Sequence, residues 1–350
     1  MGHPGGGTAA GGPWSPVSPC TVAACLPGRP AVVGPARRAA RWAALTAVLT
    51  AGVALSPAAR RTAPARRARL VRCWTGAIVA ALGVRVRVAG TPAAGPALVV
   101  ANHVSWLDVP LLARVAPGRM LAKREIGAYP VLGRLAARGG TLFIDRERLR
   151  ALPDTVGAIT AALRAGSTVV AFPEGSTWCG GEHGAFRRAV FQAALDAGVP
   201  VQPVAIRYRT SEGRPDARPA FVGDDTLVAS LRRVVAARGL VAEVTVLPPL
   251  PPGAHPDRRA LARAARKAVE AVRTVQAVET VRGAETVRGA ETAPAGRGPR
   301  TEEAPADTPR CPPAPSRDPA PRQPAAARRV RRMVSRYHSP LSLTVRRWVA

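Results

Sequence analysis

Between residues 97 and 247 the sequence alternates short apolar runs with longer segments, and this alternation constrains the fold more than any other feature. The runs have the length and the Val, Ile and Leu content of buried strands, and several of the segments end at glycines that suit helix C-termini. Strands are predicted at 97–102, 119–123, 141–145, 167–172, 201–208 and 240–247, and helices at 105–115, 129–137, 153–165, 185–197, 224 or 225 to 238, and 256–275. This order predicts an α/β fold, with a mainly parallel sheet flanked by helices.

Composition divides the rest of the chain into four parts. Residues 1–36 are rich in Gly, Pro and Ala and are expected to be disordered. Residues 37–89 hold apolar segments flanked by arginine, and 90–275 are expected to form the packed α/β domain. Residues 276–350 read as a low-complexity Arg/Pro/Ala-rich tail with a short ETVRGA repeat. Only the third part is therefore expected to build a core.

The N-terminal apolar segments predict attachment to a membrane. Residues 42–55 form a continuous apolar run between arginines on both sides, and 73–84 form a second, shorter run. A spanning helix needs about 20 apolar residues, a length that the first run approaches only by including Ser56 and Pro57. Two arrangements fit: one span with an interfacial helix, or two elements that dip into one leaflet. About forty residues precede the first run, which disfavours a signal peptide.

The strong positive charge points to lipid and not to nucleic acid. The chain has a formal net charge of +29, and Lys123 and Lys267 are its only lysines. Arginine in an Ala-, Gly- and Pro-rich chain is typical of GC-rich coding, so charge alone indicates little. Zinc-finger spacing, RNP-like aromatic motifs and heptads are absent from the sequence. Arginines beside the apolar segments suit anionic lipid headgroups.

The five cysteines are odd in number and scattered along the sequence, so they are not expected to act together. They are Cys20, Cys25, Cys73, Cys179 and Cys311, without a CxxC motif or a paired His. This spacing predicts neither a disulfide framework nor a metal site, and it favours a reducing, cytosolic setting.

A His and an Asp stand at the end of the first predicted strand, in the segment Asn-His-Val-Ser-Trp-Leu-Asp at 102–108. On a regular helix, residues five apart would point about 140° away from each other. His103 instead falls at a strand end and Asp108 in the first turn of the next helix, where Ser105 and Asp108 fit a capping arrangement. The turn can fold the carboxylate onto one imidazole nitrogen. The other nitrogen then faces the carboxyl edge of the sheet and can accept a proton from a hydroxyl.

Three further motifs follow in order: GTLFIDR at 140–146, FPEGST at 172–177 and VPVQPV at 199–204. With the first motif, they resemble the NHx4D, GxxFxxR, FPEG[TS] and Pro-bearing strand motifs of the glycerolipid acyltransferase family, which includes bacterial 1-acyl-glycerol-3-phosphate acyltransferases. The resemblance covers about residues 97–210. It implies transfer of a fatty acyl group from acyl-CoA or acyl carrier protein to the hydroxyl of a lysophospholipid.

The resemblance also implies roles for single residues. His103 would deprotonate the acceptor hydroxyl, and Asp108 would hold the imidazole. Arg146 would pair with the acceptor phosphate. Other substrate-binding positions would be Glu174, Gly175, Ser176 and, at the end of its strand, Lys123. No metal or bound cofactor is implied, and the expected location is the cytoplasmic face of a membrane.

One departure affects the choice of acceptor. Many family members carry Arg-Ser after the third motif, giving EGTRS, where this chain has Thr177-Trp178-Cys179-Gly180. Arg187 or Arg188 could replace the missing arginine, or the acceptor could differ. The most direct expectation is 1-acyl-glycerol-3-phosphate, and lyso-ornithine lipid is the alternative, because PEGST followed by FRRAVFQAA is similar to the branch that acylates it. A hypothesis of another class is a non-catalytic basic protein that binds membranes or nucleic acid. A serine hydrolase is disfavoured, because the sequence has no GxSxG motif.

Overall fold

The computed structural model describes residues 17–26, 28, 31–129, 132–145 and 148–273. Arg146, the first sixteen residues and the predicted tail at 276–350 lie outside the described residues. The expectations for these parts of the chain therefore stay predictions.

Helices and strands alternate through most of the described chain. The strands are β1 (Arg85–Ala89), β2 (Leu98–Ala101), β3 (Arg119–Lys123), β4 (Leu142–Ile144), β5 (Val169–Ala171), β6 (Val201–Arg209) and β7 (Val241–Val246). The helices are α1 (Val22–Cys25), α2 (Pro35–Arg60), α3 (Pro64–Ala81), α4 (Asp108–Val115), α5 (Arg124–Gly127), α6 (Leu132–Arg138), α7 (Leu152–Arg164), α8 (Ala189–Ala197) and α9 (Leu227–Ala236), and residues 258–273 form α10.

The seven strands form one sheet in the order β1-β7-β6-β2-β5-β3-β4. All neighbouring pairs are parallel except β6 and β7, which run antiparallel. The predicted α/β fold with a mainly parallel sheet is confirmed. The carboxyl ends of β2, β3, β4, β5 and β6 consequently meet at one edge of the sheet.

The sheet has a separate apolar core on each face. Along β2, Leu98 and Val100 lie in one core, and Val99 and Ala101 lie in the other. This alternation follows from the two-residue period of a strand. Residues from α3, α4 and α9 fill the core on the Val99 side, and residues from α7, α8 and α10 fill the opposite core. Helices therefore cover both faces, which keeps the central strands dry.

The sheet and its core extend to the N-terminal side of residue 90, where the α/β domain was expected to begin. β1, at 85–89, pairs in parallel with β7, and α3 buries Ile78 and Val79. The segment 1–36, expected to be disordered, also contributes buried residues, namely Cys20 and Val33. The sequence pattern hid β1 because arginines interrupt it and because it lies at the sheet edge, where its side chains are mostly exposed.

The start of α9 also differs from the expectation of an Asp cap at 224 or 225. Thr226 is the N-cap and accepts a hydrogen bond from the amide of Ala229 at 3.2 Å. Asp225 forms an ion pair with Arg233 instead.

The 26-residue helix α2 is long and apolar enough to cross a membrane, and among the described residues only this helix meets that condition. Three side-chain contacts attach it to the rest of the protein. Arg41 donates to the carbonyls of Val235 and Ala237 at 2.7 and 2.8 Å, at the C-terminus of α9. The indole of Trp74 in α3 donates to the Val48 carbonyl at 2.8 Å, and Arg138 in α6 donates to the Ser56 hydroxyl at 3.1 Å.

We predict that Gly52→Ala destabilises the protein by about 1–3 kcal/mol, the usual cost of overpacking. A Cβ at Gly52 would overlap the Trp74 indole, which would have to move and lose its bond to Val48. Thermal unfolding in detergent measures the effect. Gly157→Ala is the matched control, because Gly157 is also helical and a Cβ there meets nothing within 4 Å. An equal unfolding temperature for both variants would contradict the packing of α2 on α3.

Candidate functional site

His103 and Glu174 reach the same edge of the sheet because their strands are neighbours. β2 and β5 pair in parallel, with Leu98 opposite Val169. Residues 102–103 leave β2 and residues 172–174 leave β5 at their carboxyl ends. Ligands of open α/β sheets bind at this edge. The sheet therefore brings the first and third sequence motifs together.

The carboxylate of Asp108 is fully buried and accepts four hydrogen bonds. Its Oδ2 accepts from His103 Nδ1 at 2.9 Å, from the Val104 amide at 2.7 Å and from the Ser105 amide at 2.8 Å. Its Oδ1 accepts from the Tyr208 hydroxyl at 2.6 Å. Burying a charge costs free energy unless the charge is hydrogen-bonded, and these four donors offset that cost. Its place in the first turn of α4 adds a favourable interaction with the helix dipole.

This arrangement fixes which nitrogen of His103 carries the proton. An ionised carboxylate can only accept hydrogen bonds, so the neutral imidazole must present its N–H at Nδ1. Nε2 is then the nitrogen with a free lone pair. The side chain is 19% exposed, so the ring keeps an open side. The pair can therefore work as an Asp-oriented general base.

Tyr208 is a site residue that the sequence analysis missed. It lies on β6, next to β2, and the two strands are also joined by Asn102, whose amide donates to and accepts from the backbone of Ile206. Burial, followed by the nearby charge of Asp108, raises the pKa of Tyr208 well above its ordinary value. The phenol stays protonated and can only donate to the carboxylate. The only sign of Tyr208 in the sequence is that a polar aromatic residue occupies an inward-facing position of a buried strand.

Phe172 sets the plane of the imidazole. The two rings stack with centroids 3.9 Å apart and an interplanar angle of 13°. Phe172 is the first residue after β5, so the aromatic residue of the third motif supports the His of the first motif. The imidazole is thus held by a hydrogen bond at one nitrogen and by a ring on one face.

Glu174 supports His103 through the backbone. Its side chain is only 3% exposed, and one carboxylate oxygen accepts the His103 amide at 2.7 Å. Burial raises the pKa of Glu174 to about 7, although bonds from the His103 and Gly184 amides and the charge of Arg273 act in the opposite direction. Glu174, which was expected to bind substrate, is therefore a buried carboxyl group that is hydrogen-bonded to the backbone of His103.

The loop after β5 is tied to the strand end that carries His103. The amide of Trp178 donates to the His103 carbonyl at 2.8 Å, and the Thr177 hydroxyl donates to the carbonyl of Phe221. Gly175 has a φ of 78°, a backbone conformation that glycine adopts without strain. Its amide donates to the Phe172 carbonyl at 3.1 Å and closes a turn. That amide therefore already has a partner within the turn, and Ser176 follows Gly175 in the same loop.

Lys123 lies toward the β3–β4 end of the same edge. Lys123 is exposed at the end of β3, and Arg146 lies outside the described residues. A cleft of about 780 Å³ opens here and is lined by Arg124, Glu125, Phe143, Asp145 and Asp154, among others. Arg124 and Asp145 form an ion pair at 3.3 Å. β4 is three strands from β2, or roughly 14 Å at the usual spacing.

Comparison with known proteins identifies a family model described as Acyltransferase, which matches residues 84–207. A lyso-ornithine lipid O-acyltransferase of Pseudomonas aeruginosa is 42% identical over 207 residues, which are 58% of this chain and 78% of that protein. A 1-acyl-sn-glycerol-3-phosphate acyltransferase of Neisseria gonorrhoeae is 36% identical over 212 residues, 60% of this chain and 82% of that protein.

A solved structure has the same fold. The crystal structure of the 1-acyl-sn-glycerophosphate acyltransferase of Thermotoga maritima aligns with a TM-score of 0.51 at 20% identity. The alignment covers 69% of this chain and 98% of that structure.

We predict that Glu174→Gln flattens the pH dependence of stability between about pH 4.5 and 7. The pKa of Glu174 rises from 4.5 to about 7 on folding, so the folded state holds the proton more tightly. The stability that this proton contributes is complete below pH 4.5 and is lost as the pH rises through 7. The shift corresponds to roughly 3 kcal/mol. Glutamine keeps the acceptor for His103 and has no proton to lose.

Thermal unfolding at a series of pH values measures this difference. Glu182→Gln is the control, because Glu182 is exposed in the same loop. Parallel stability curves for the wild type and Glu174→Gln would show that the carboxyl group is not perturbed by burial.

Proposed function

Because the chain belongs to the acyltransferase family, we propose that it transfers a fatty acyl group from an acyl thioester to the hydroxyl of a lysolipid at a membrane surface. The observation that carries this proposal is the contact of 2.9 Å between His103 Nδ1 and the buried carboxylate of Asp108. It leaves Nε2 as the base at the edge of the sheet where ligands bind.

The reaction follows from this geometry. Nε2 of His103 removes the proton of the acceptor hydroxyl while the oxygen attacks the thioester carbonyl. Asp108 stabilises the imidazolium that forms. When the tetrahedral intermediate collapses, the C–S bond breaks and the thiolate takes the proton from His103. The products are an ester and a free thiol, and no acyl group is ever bonded to the protein.

For the acceptor, 1-acyl-glycerol-3-phosphate is the first candidate, with acyl-CoA or acyl carrier protein as donor on the cytoplasmic face. Arg146 would pair with the phosphate, and Lys123 would add positive charge at the same edge. Ser176 and Gly175 would border the acceptor. The membrane-associated helices α2 and α3 would bring the site to the lipid. The protein itself would need no metal or cofactor for this step.

Lyso-ornithine lipid is a second candidate, and two observations favour it. Thr177-Trp178-Cys179-Gly180 stands where the EGTRS form of the third motif has Arg-Ser. The cleft at β3 and β4 is lined by three carboxyl groups and one guanidinium among the described residues. A headgroup with both an amine and a carboxylate matches such mixed charge better than a phosphate does.

We predict that His103→Ala lowers acyl transfer by at least about a hundredfold, the usual worth of a general base, without loss of fold. The assay supplies labelled acyl-CoA or acyl carrier protein with lysophosphatidic acid, other lysophospholipids, lyso-ornithine lipid or glycerol-3-phosphate. The preferred acceptor is the one with the highest kcat/KM. Activity that survives in His103→Ala would refute the mechanism. If neither donor supports transfer to any acceptor in the wild type, the non-catalytic alternative stands.

We predict that Tyr208→Phe lowers kcat by about tenfold or more and leaves KM for the acceptor unchanged. The substitution removes one hydrogen bond to a buried charge, worth roughly 1.5–3 kcal/mol, and Tyr208 acts only through Asp108 and His103. Tyr129→Phe is the control, because Tyr129 is 53% exposed. A rise in KM with unchanged kcat would place Tyr208 in acceptor binding instead.

A further inference from the structure

Three of the five cysteines meet in the structure, contrary to the expectation that they are unrelated. Cys20 precedes α1, Cys25 ends it, and Cys179 lies more than 150 residues later in the loop after β5. Their three sulfur atoms all lie within 4.8 Å of one another. Cys20 is buried, and the other two are partly buried. We call this set the thiol cluster.

We propose that the thiol cluster binds a zinc ion and thereby fastens residues 17–26 to the loop that follows the FPEGST motif. The proposal does not depend on the acyl-transfer function. It replaces the expectation that the cysteines have no metal-binding role.

The spacing of the sulfurs suits a thiolate-bound metal. Three points that lie mutually within 4.8 Å share a centre no more than about 2.8 Å from each of them. Zinc–sulfur bonds are about 2.3 Å, so each sulfur would need to move by only about half an ångström. Thiolates are ligands that select zinc among the common divalent metals. Binding would release the three thiol protons as three Zn–S bonds form.

A disulfide explains the cluster less well. One disulfide joins two sulfurs and leaves the third without a role, whereas a metal uses all three. The sequence separation also favours a metal, since the cluster joins a C-x4-C pair on one segment to a single cysteine on another.

The fourth position of a tetrahedral zinc is open in this arrangement, and water can take it. His183, four residues after Cys179, has two features of a metal-binding histidine. Its Nε2 contacts the Glu270 carboxylate at 2.8 Å, the usual partner for the nitrogen away from a metal, and its Nδ1 is buried without a hydrogen bond within the described chain. His183 lies outside the set of atoms within 4.8 Å, so Gly180 and Gly181 would have to adjust to bring it in.

The position of the cluster connects it to the candidate site. Cys179 directly follows Trp178, whose amide bonds to the His103 carbonyl. On the other segment, Cys20 and Thr21 pack so closely on Gly223 that an added Cβ there would lie 3.3 Å from their backbone. A metal at the thiol cluster would therefore hold one segment against two loops that border His103.

The test uses the full chain, purified in detergent with a tag that does not bind metals, under reducing conditions. Zinc is measured by mass spectrometry after passage over chelating resin. We expect close to one zinc per chain in the wild type and in the control Cys73→Ser/Cys311→Ser, which keeps the thiol cluster. Cys179→Ser and Cys20→Ser/Cys25→Ser should lose it, with at least about a hundredfold weaker affinity.

Cobalt added to the metal-free wild type gives a second readout that needs no variant to fold. Bound thiolates should produce sulfur-to-cobalt charge-transfer absorption, which Cys179→Ser should weaken. Wild-type protein that is folded and reduced but binds neither zinc nor cobalt would overturn the proposal. A disulfide between two cluster cysteines in protein from the cytosol would overturn it equally, and neither result bears on acyl transfer.

Discussion

The rest of the site depends on one buried charge, the carboxylate of Asp108. It has no contact with water and is compatible with folding only because four donors surround it. Those donors come from the end of β2, the turn before α4 and the carboxyl end of β6. The strand order that places β6 beside β2 is therefore as necessary to the site as the His itself. Removing any of the other three donors would act on His103 through this carboxylate.

The loop after β5 shows how the fold keeps the site in register. Trp178 donates to the carbonyl of His103, Thr177 donates to the carbonyl of Phe221, and Arg273 of α10 donates to the carbonyl of Gly180. Glu270 of the same helix contacts His183. The loop carries Gly180 and Gly181 in its centre, and these contacts all join it to elements distant in sequence. This dependence explains why a short motif alone cannot specify an active site.

The sequence predicted most of the strands and the pairing of His103 with Asp108, because both rest on local patterns: strand-length apolar runs, and a five-residue spacing across a strand end. It did not predict Tyr208 or the thiol cluster, because these contacts join residues about one hundred or more positions apart. It also missed β1, whose exposed arginines conceal an edge strand. The buried state of Glu174 was hidden for a related reason, since a carboxyl group in a polar motif reads as a surface residue. Local spacing thus predicted the His and the Asp of the site, whereas the residues that hold them in place become visible only in the tertiary structure.

The attachment of α2 has a consequence for how substrates arrive. Arg41 fixes α2 near its N-terminus, and Ser56 contacts α6 near the C-terminus of α2. The helix is therefore packed on the domain as part of it, and is not joined to it by a flexible linker. A helix of 26 residues is about 39 Å long. Its depth in a bilayer would set the height of His103 above the lipid. A lipid acceptor would then be sampled by lateral diffusion in the leaflet at one fixed level.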